Sequence, residues 1–199
     1  MVEQRPFKVW VESSNPSLST SNNLNKSNMG GYYKKTVIEE AVEDRGGLIN
    51  GVLRFSIMWS GTNKDNSDLD AWAKEPKGKE IGYSTGYRKD QDNKRTPMSG
   101  QLDVDIITPS EQKYENIVEN IAWSDKSKMK PGVYKFWIHQ YNAQRSKGFE
   151  AEIRFGDELY QYKYEKALSQ KSKVQIAEVT LKRGKFTIEH LLEPTKQAV

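Results

Sequence analysis

Apolar and polar residues alternate at period two along most of this chain, and that alternation predicts strands. From Gly46 onward it is nearly continuous. Leu53, Phe55, Ile57 and Trp59 alternate with Arg54, Ser56 and Met58. After a polar turn, Leu69, Ala71 and Ala73 alternate with Asp68, Asp70, Trp72 and Lys74. Pro76-Lys77-Gly78 makes a turn before a short strand over 80–84. Leu102, Val104 and Ile106 alternate with Gln101, Asp103 and Asp105, and 116–123 is again strand-like. Strands follow over 133–141, over Phe149 to Phe155, and through Tyr160, Tyr162 and Tyr164. Residues 174–181 and 185–191 pair as a hairpin around Arg183-Gly184.

Upstream, Phe7, Val9 and Val11 alternate with Lys8, Trp10 and Glu12 in one more strand. Residues 13–31 are dominated by Ser, Asn and Gly and predict a long loop or linker. Residues 32–44 fit two patterns. Val37, Ile38, Ala41 and Val42 have helical spacing with a capping box from Thr36 and Glu39, whereas Tyr33, Val37 and Ala41 would share one face of a strand. The strand is the expectation, because everything after it is β-like. About ten short strands separated by turn chemistry predict an all-β, antiparallel β-sandwich, with a jelly-roll-like topology as one option. The expected organisation is an N-terminal strand and extended arm over 1–45, a sandwich over 46–193, and a tail over 194–199.

Ile57-Met58-Trp59, Ser67 to Gly78 with its Asp-Leu-Asp, Gly100 to Asp105 and Pro131 to Ile138 together resemble an uncharacterised bacterial β-sandwich domain. That domain is often found beside von Willebrand A-type domains. The resemblance covers roughly 50–155 and implies a binding or structural module, with no catalytic residues to carry over. Trp72 stands where that pattern more often has histidine, and the loop from Tyr83 to Ser99 is long and basic.

Alternation turns Asp68, Asp70 and Trp72 outward, then Asp103 and Asp105, then Trp137, His139 and Tyr141. Set side by side in one sheet, these strands would make a face of carboxylates, indoles and one imidazole. Trp72, Trp137, His139 and Tyr141 are the expected ligand-binding residues, as flat platforms for a protein partner or a sugar ring. Asp68, Asp70, Asp103 and Asp105, with Asp65, are candidate ligands for Ca²⁺, a hard cation served by oxygen donors. Against that, the segment lacks the spacing of a helix–loop–helix calcium site. Bonding of backbone amides in a turn is the other use of such aspartates.

Composition narrows the chemistry. The 199 residues hold no cysteine and two histidines, which removes thiolate sites, thiol nucleophiles and poly-histidine centres. Basic residues gather over 74–95 and 126–135, but acidic ones intersperse and the net charge is only +4, which argues against nucleic acid. No signal peptide or membrane span is expected, so the compartment read from the chain is the cytoplasm, or a particle released by lysis. The resulting expectation is a non-catalytic binding and assembly module, such as a structural subunit of a larger, phage-like particle. Its partners would be other subunits in a homo- or hetero-oligomer. The alternative is a carbohydrate-active or other hydrolase using Asp70, Asp105 and His139.

Overall fold

The computed structural model describes residues 33–60, 67–78, 80–83, 99–106, 116–143 and 146–198. Contacts divide the chain into Met1–Tyr33 and Lys34–Val199, and the second unit carries every element below. The strand expected over 7–12, the linker over 13–31 and Asp65 lie outside the described residues.

One helix, α1 (Val37–Glu43), precedes eleven strands: β1 (Leu53–Ser60), β2 (Asp68–Lys74), β3 (Glu80–Ile81), β4 (Gln101–Val104), β5 (Asn116–Trp123), β6 (Gly132–Asn142), β7 (Phe149–Phe155), β8 (Glu158–Tyr164), β9 (Lys173–Lys182), β10 (Lys185–His190) and β11 (Pro194–Ala198). They form an all-β sandwich of two antiparallel sheets. The six-stranded sheet runs β11-β8-β7-β1-β5-β4, and the five-stranded sheet runs β10-β9-β6-β2-β3.

The core lies between the sheets, and its side chains are the ones the alternation turned inward. Leu53, Phe55 and Ile57 from β1 meet Leu69, Ala71 and Ala73 from β2 and Tyr134, Phe136 and Ile138 from β6, all fully buried. Phe55 and Phe136 lie 5.2 Å apart between ring centres, and Trp123 meets Phe136 edge-on at 5.8 Å. Apolar burial on this scale is the main stabilising term of the fold.

Two expectations fail here. Residues 37–43 are helix, not strand. Thr36 accepts the Glu39 amide at 3.1 Å while the Glu39 carboxylate accepts the Thr36 amide at 3.1 Å, so two donors that a helix start leaves orphaned are satisfied together. Ile38, Ala41 and Val42 then fall on one buried stripe against Val104 and Val118 on the outer face of the six-stranded sheet. Residues 194–198, expected as a tail, form β11, which pairs with β8 and ends the six-stranded sheet.

The same outer face holds a buried ionic network under α1. Arg54, with no exposure, bonds Glu39 of α1 and Glu152 of β7 at 2.9 Å each, and Arg154 meets Glu39 at 2.9 Å. Elsewhere, one oxygen of buried Glu75 accepts the amides of Ser99 and Gly100, the Ser99 hydroxyl and the Trp123 indole N–H, at 2.7–3.0 Å. Glu75→Gln keeps an acceptor but loses the charge. It should cost about 1–2 kcal/mol in a denaturant titration, and an unchanged midpoint would count against this role.

Candidate functional site: an aromatic face beside a carboxylate corner

β2 and β6 are hydrogen-bonded neighbours, with Asp70 opposite His139 and Trp72 opposite Trp137. Both pairs point away from the core, because Leu69, Ala71 and Ile138 of the same strands point into it. The predicted binding residues of β2 and β6 therefore do share one face. The two indoles stack with ring centres 6.0 Å apart and planes 11° from parallel. Tyr83, just past β3, meets Trp72 edge-on at 5.6 Å and Tyr141 at 5.3 Å. His139 approaches Tyr141 at 6.4 Å. Gly82 makes the packing possible, since a Cβ there would lie 2.5 Å from the Trp72 ring. Nothing in the alternation singled out Tyr83, which sits in a turn; its signal was only that it follows a glycine beside a short strand.

Burial grades across the cluster. Trp137 is 5% exposed and Trp72 half-buried, whereas Tyr83 and Tyr141 are 42% and 40% exposed. Lys173 sits 5.8 Å from the Trp137 ring centre and Lys171 sits 4.2 Å from that of Tyr141. The indoles form a floor and the two tyrosines form its open surface.

Asp103 does not join this face. β4 pairs with β5 in the opposite sheet, so the expected set of three adjacent strands is not formed. Asp103 instead accepts the Leu48 amide at 2.8 Å and the Asn120 side-chain amide at 2.7 Å, a structural use of the kind common for aspartate. Burial pushes its carboxyl up, partly offset by those two bonds.

What does gather beside Asp68 and Asp70 is Asp105 and a residue that alternation does not single out, Glu119. In β5, Glu119 stands opposite Ile57, on the inward side between Ile117 and Ile121. It is 1% exposed. β3 covers only Ala73 and Lys74, so the first half of β2 has no strand on that side among the described residues. Glu119 Oε2 reaches across from the other sheet and accepts the Ala71 amide at 2.6 Å. Its Oε1 has no hydrogen-bond partner among the described residues.

Negative charge therefore accumulates where water is scarce, and the ionised forms suffer. Burial, then Asp105, pushes Asp70 up to about 7. The Trp72 indole N–H, which makes no hydrogen bond of ordinary geometry to Asp70, and Lys171 pull the other way. Burial, with Asp70 and Asp105, pushes Asp68 up to about 6. Burial and Asp105 also raise Glu119 well above the usual carboxylate range.

His139 Nδ1 lies 2.9 Å from Asp70 Oδ2. Burial and the charges of Lys173 and Lys171 lower the imidazole, while the carboxyl is raised. Burial therefore works against the charged form of both partners, while the 2.9 Å contact holds them as a hydrogen-bonded pair. Among the described residues no three His, Asp or Glu side chains form a group that could hold one metal ion.

A cleft of about 330 Å³ opens near Trp59, Phe149 and Tyr164, at the end of the six-stranded sheet. It contains none of the predicted site residues. No helix among the described residues is long and apolar enough to cross a membrane. No family model matches the chain, and neither a curated protein nor a solved structure matches it.

Proposed function

We propose that this chain is a non-catalytic assembly module, copies of which associate through the outer face of the five-stranded sheet. The observation that carries this reading is the graded aromatic cluster: two exposed tyrosines, 5.3 Å apart, on a floor of stacked tryptophans. Tyrosine and tryptophan in a partly desolvated patch ringed by cationic side chains is the composition of a protein–protein hot spot. The ring faces support a protein partner over a sugar. Trp72 is stacked on Trp137, and the Tyr141 ring carries Lys171, so each already has one face engaged within the chain. The Asp70–His139 pair borders the patch and supplies polar contacts at its rim.

The test is a surface substitution. Tyr83→Ser with Tyr141→Ser should weaken self-association at least about tenfold, read as molar mass against concentration by light scattering. Val37→Ser, an exposed site on α1 on the other sheet, should leave it unchanged. Equal association by all three proteins would remove this face from the interface.

A further inference from the structure

β10 ends the five-stranded sheet, and its outer edge has no partner among the described residues. Its backbone pattern follows from the hairpin with β9. Arg183 and Gly184, with φ of 50° and 76°, form a two-residue turn that makes Lys182 and Lys185 a hydrogen-bonded pair. Parity then directs the amides and carbonyls of Lys185, Thr187 and Glu189 toward β9. Those of Phe186, Ile188 and His190 point away from the sheet. The side chains divide the same way by face. Phe186, Ile188 and His190 are half-buried over Phe155 and Tyr160, and Lys185, Thr187 and Glu189 are exposed. Such an edge is a template for another strand. Within the same sheet, the open edge along the first half of β2 is blunted because the Glu119 carboxylate already takes the Ala71 amide.

We infer that residues 7–12 of a second copy of this chain add to β10 as an antiparallel strand. The inference rests on the assembly reading above and names a second contact within it. The segment Phe7-Lys8-Val9-Trp10-Val11-Glu12 complements the edge in one register. With Val11 opposite Phe186, Val9 lies opposite Ile188 and Phe7 opposite His190, so the apolar face of the segment continues that of the sheet. On the other face Glu12 then lies opposite Lys185, Trp10 opposite Thr187 and Lys8 opposite Glu189. Both charged pairs are of opposite sign, which favours cross-strand pairing. Parallel addition would set Lys8 against Lys185 and Glu12 against Glu189, and a shift of one residue would turn Phe7, Val9 and Val11 to solvent. A shift of two in either direction sets Lys8 or Glu12 opposite Thr187 and loses both the Lys8–Glu189 and the Glu12–Lys185 pairs. The intervening residues 13–32 span up to about 65 Å when extended, enough to reach a neighbouring molecule.

The absence of cysteine makes the test clean. One full-length chain carries Trp10→Cys and a second, differently tagged, carries Thr187→Cys, and the two are mixed under a mild oxidant. A covalent dimer containing one of each should form several-fold faster than with Lys185→Cys or Glu189→Cys in place of Thr187→Cys, since those positions lie two residues out of register. Lys185→Glu in the Thr187→Cys chain should slow the cross-link several-fold, and Glu12→Lys in the partner should restore it. Equal rates at all three β10 positions would overturn the inference. So would a Trp10→Cys/Thr187→Cys double variant that cross-links only within its own chain. Undiminished association without the register-specific cross-link would leave the aromatic interface standing and remove the strand. Cross-linking that persists while Tyr83→Ser with Tyr141→Ser has no effect on mass would do the reverse.

Discussion

Replacing Arg54 with methionine lowers the melting temperature by about 10 °C or more, a loss of about 3–5 kcal/mol. Arg54 is fully buried and lies 2.9 Å from both Glu39 and Glu152. Desolvating these groups is expensive, and only their mutual arrangement offsets the cost. Methionine fills much of the volume but leaves Glu152 without its cation and Glu39 with Arg154 alone. Because Glu39 also closes the capping box of α1, the helix is the element that loosens first. Hydrogen exchange of the amides over 40–43 should therefore accelerate more than that of β1. A further change of Glu152 to leucine removes the carboxylate left without a cation and should recover part of the loss, while Glu39 is kept because it still meets Arg154 and closes the capping box. A single Arg54→Met variant melting within 2 °C of the parent would contradict this account.

Raising the pH from 5 to 8 lowers the melting temperature by roughly 5–10 °C, and Glu119→Gln removes a large part of that decline. The sign follows from the direction of the shifts. Asp68, Asp70 and Glu119 are raised in the folded chain, the first two to about 6 and 7, whereas unfolded carboxyls titrate near 4. Above pH 4 the folded state thus binds more protons than the unfolded one. Their contribution to stability is complete below the unfolded value and is lost as pH climbs through 6 to 7. Asp70 alone accounts for about 2–3 kcal/mol over this range. His139 has the opposite sign, because its lowered imidazole favours the fold only as pH rises toward 6.5. One imidazole against three carboxyls softens the slope below pH 6.5 and leaves it intact above. Glu119→Gln keeps an oxygen for the Ala71 amide and removes the titration of the one raised carboxyl that is fully buried. A melting temperature flat from pH 6.5 to 8, or a Glu119→Gln variant with the parent slope, would contradict the carboxylate corner.

The strands were legible because each turns one apolar face toward the core. Leu53 to Trp59, Leu69 to Ala73 and Tyr134 to Ile138 carry their register in alternation alone, and the outward turn of Trp72, Trp137, His139 and Tyr141 followed from it. Which strands become neighbours is not encoded in alternation. That is why Asp103 was grouped with Asp70 although β4 belongs to the opposite sheet. Over the seven residues of α1 there are too few periods to separate 3.6 from 2. Thr36 and Glu39 held the deciding signal, since a capping box has no use in a strand. Glu119 was readable in retrospect. It occupies the inward position between Ile117 and Ile121, and a carboxylate there contradicts the pattern around it. Such a local contradiction marks the site where fold and chemistry compete.

Sedimentation equilibrium of the unaltered full-length chain across a range of concentrations tests the assembly claim most directly. The account predicts a mass that rises above the single-chain 22.9 kDa as concentration increases. A mass of 22.9 kDa at every concentration would contradict it.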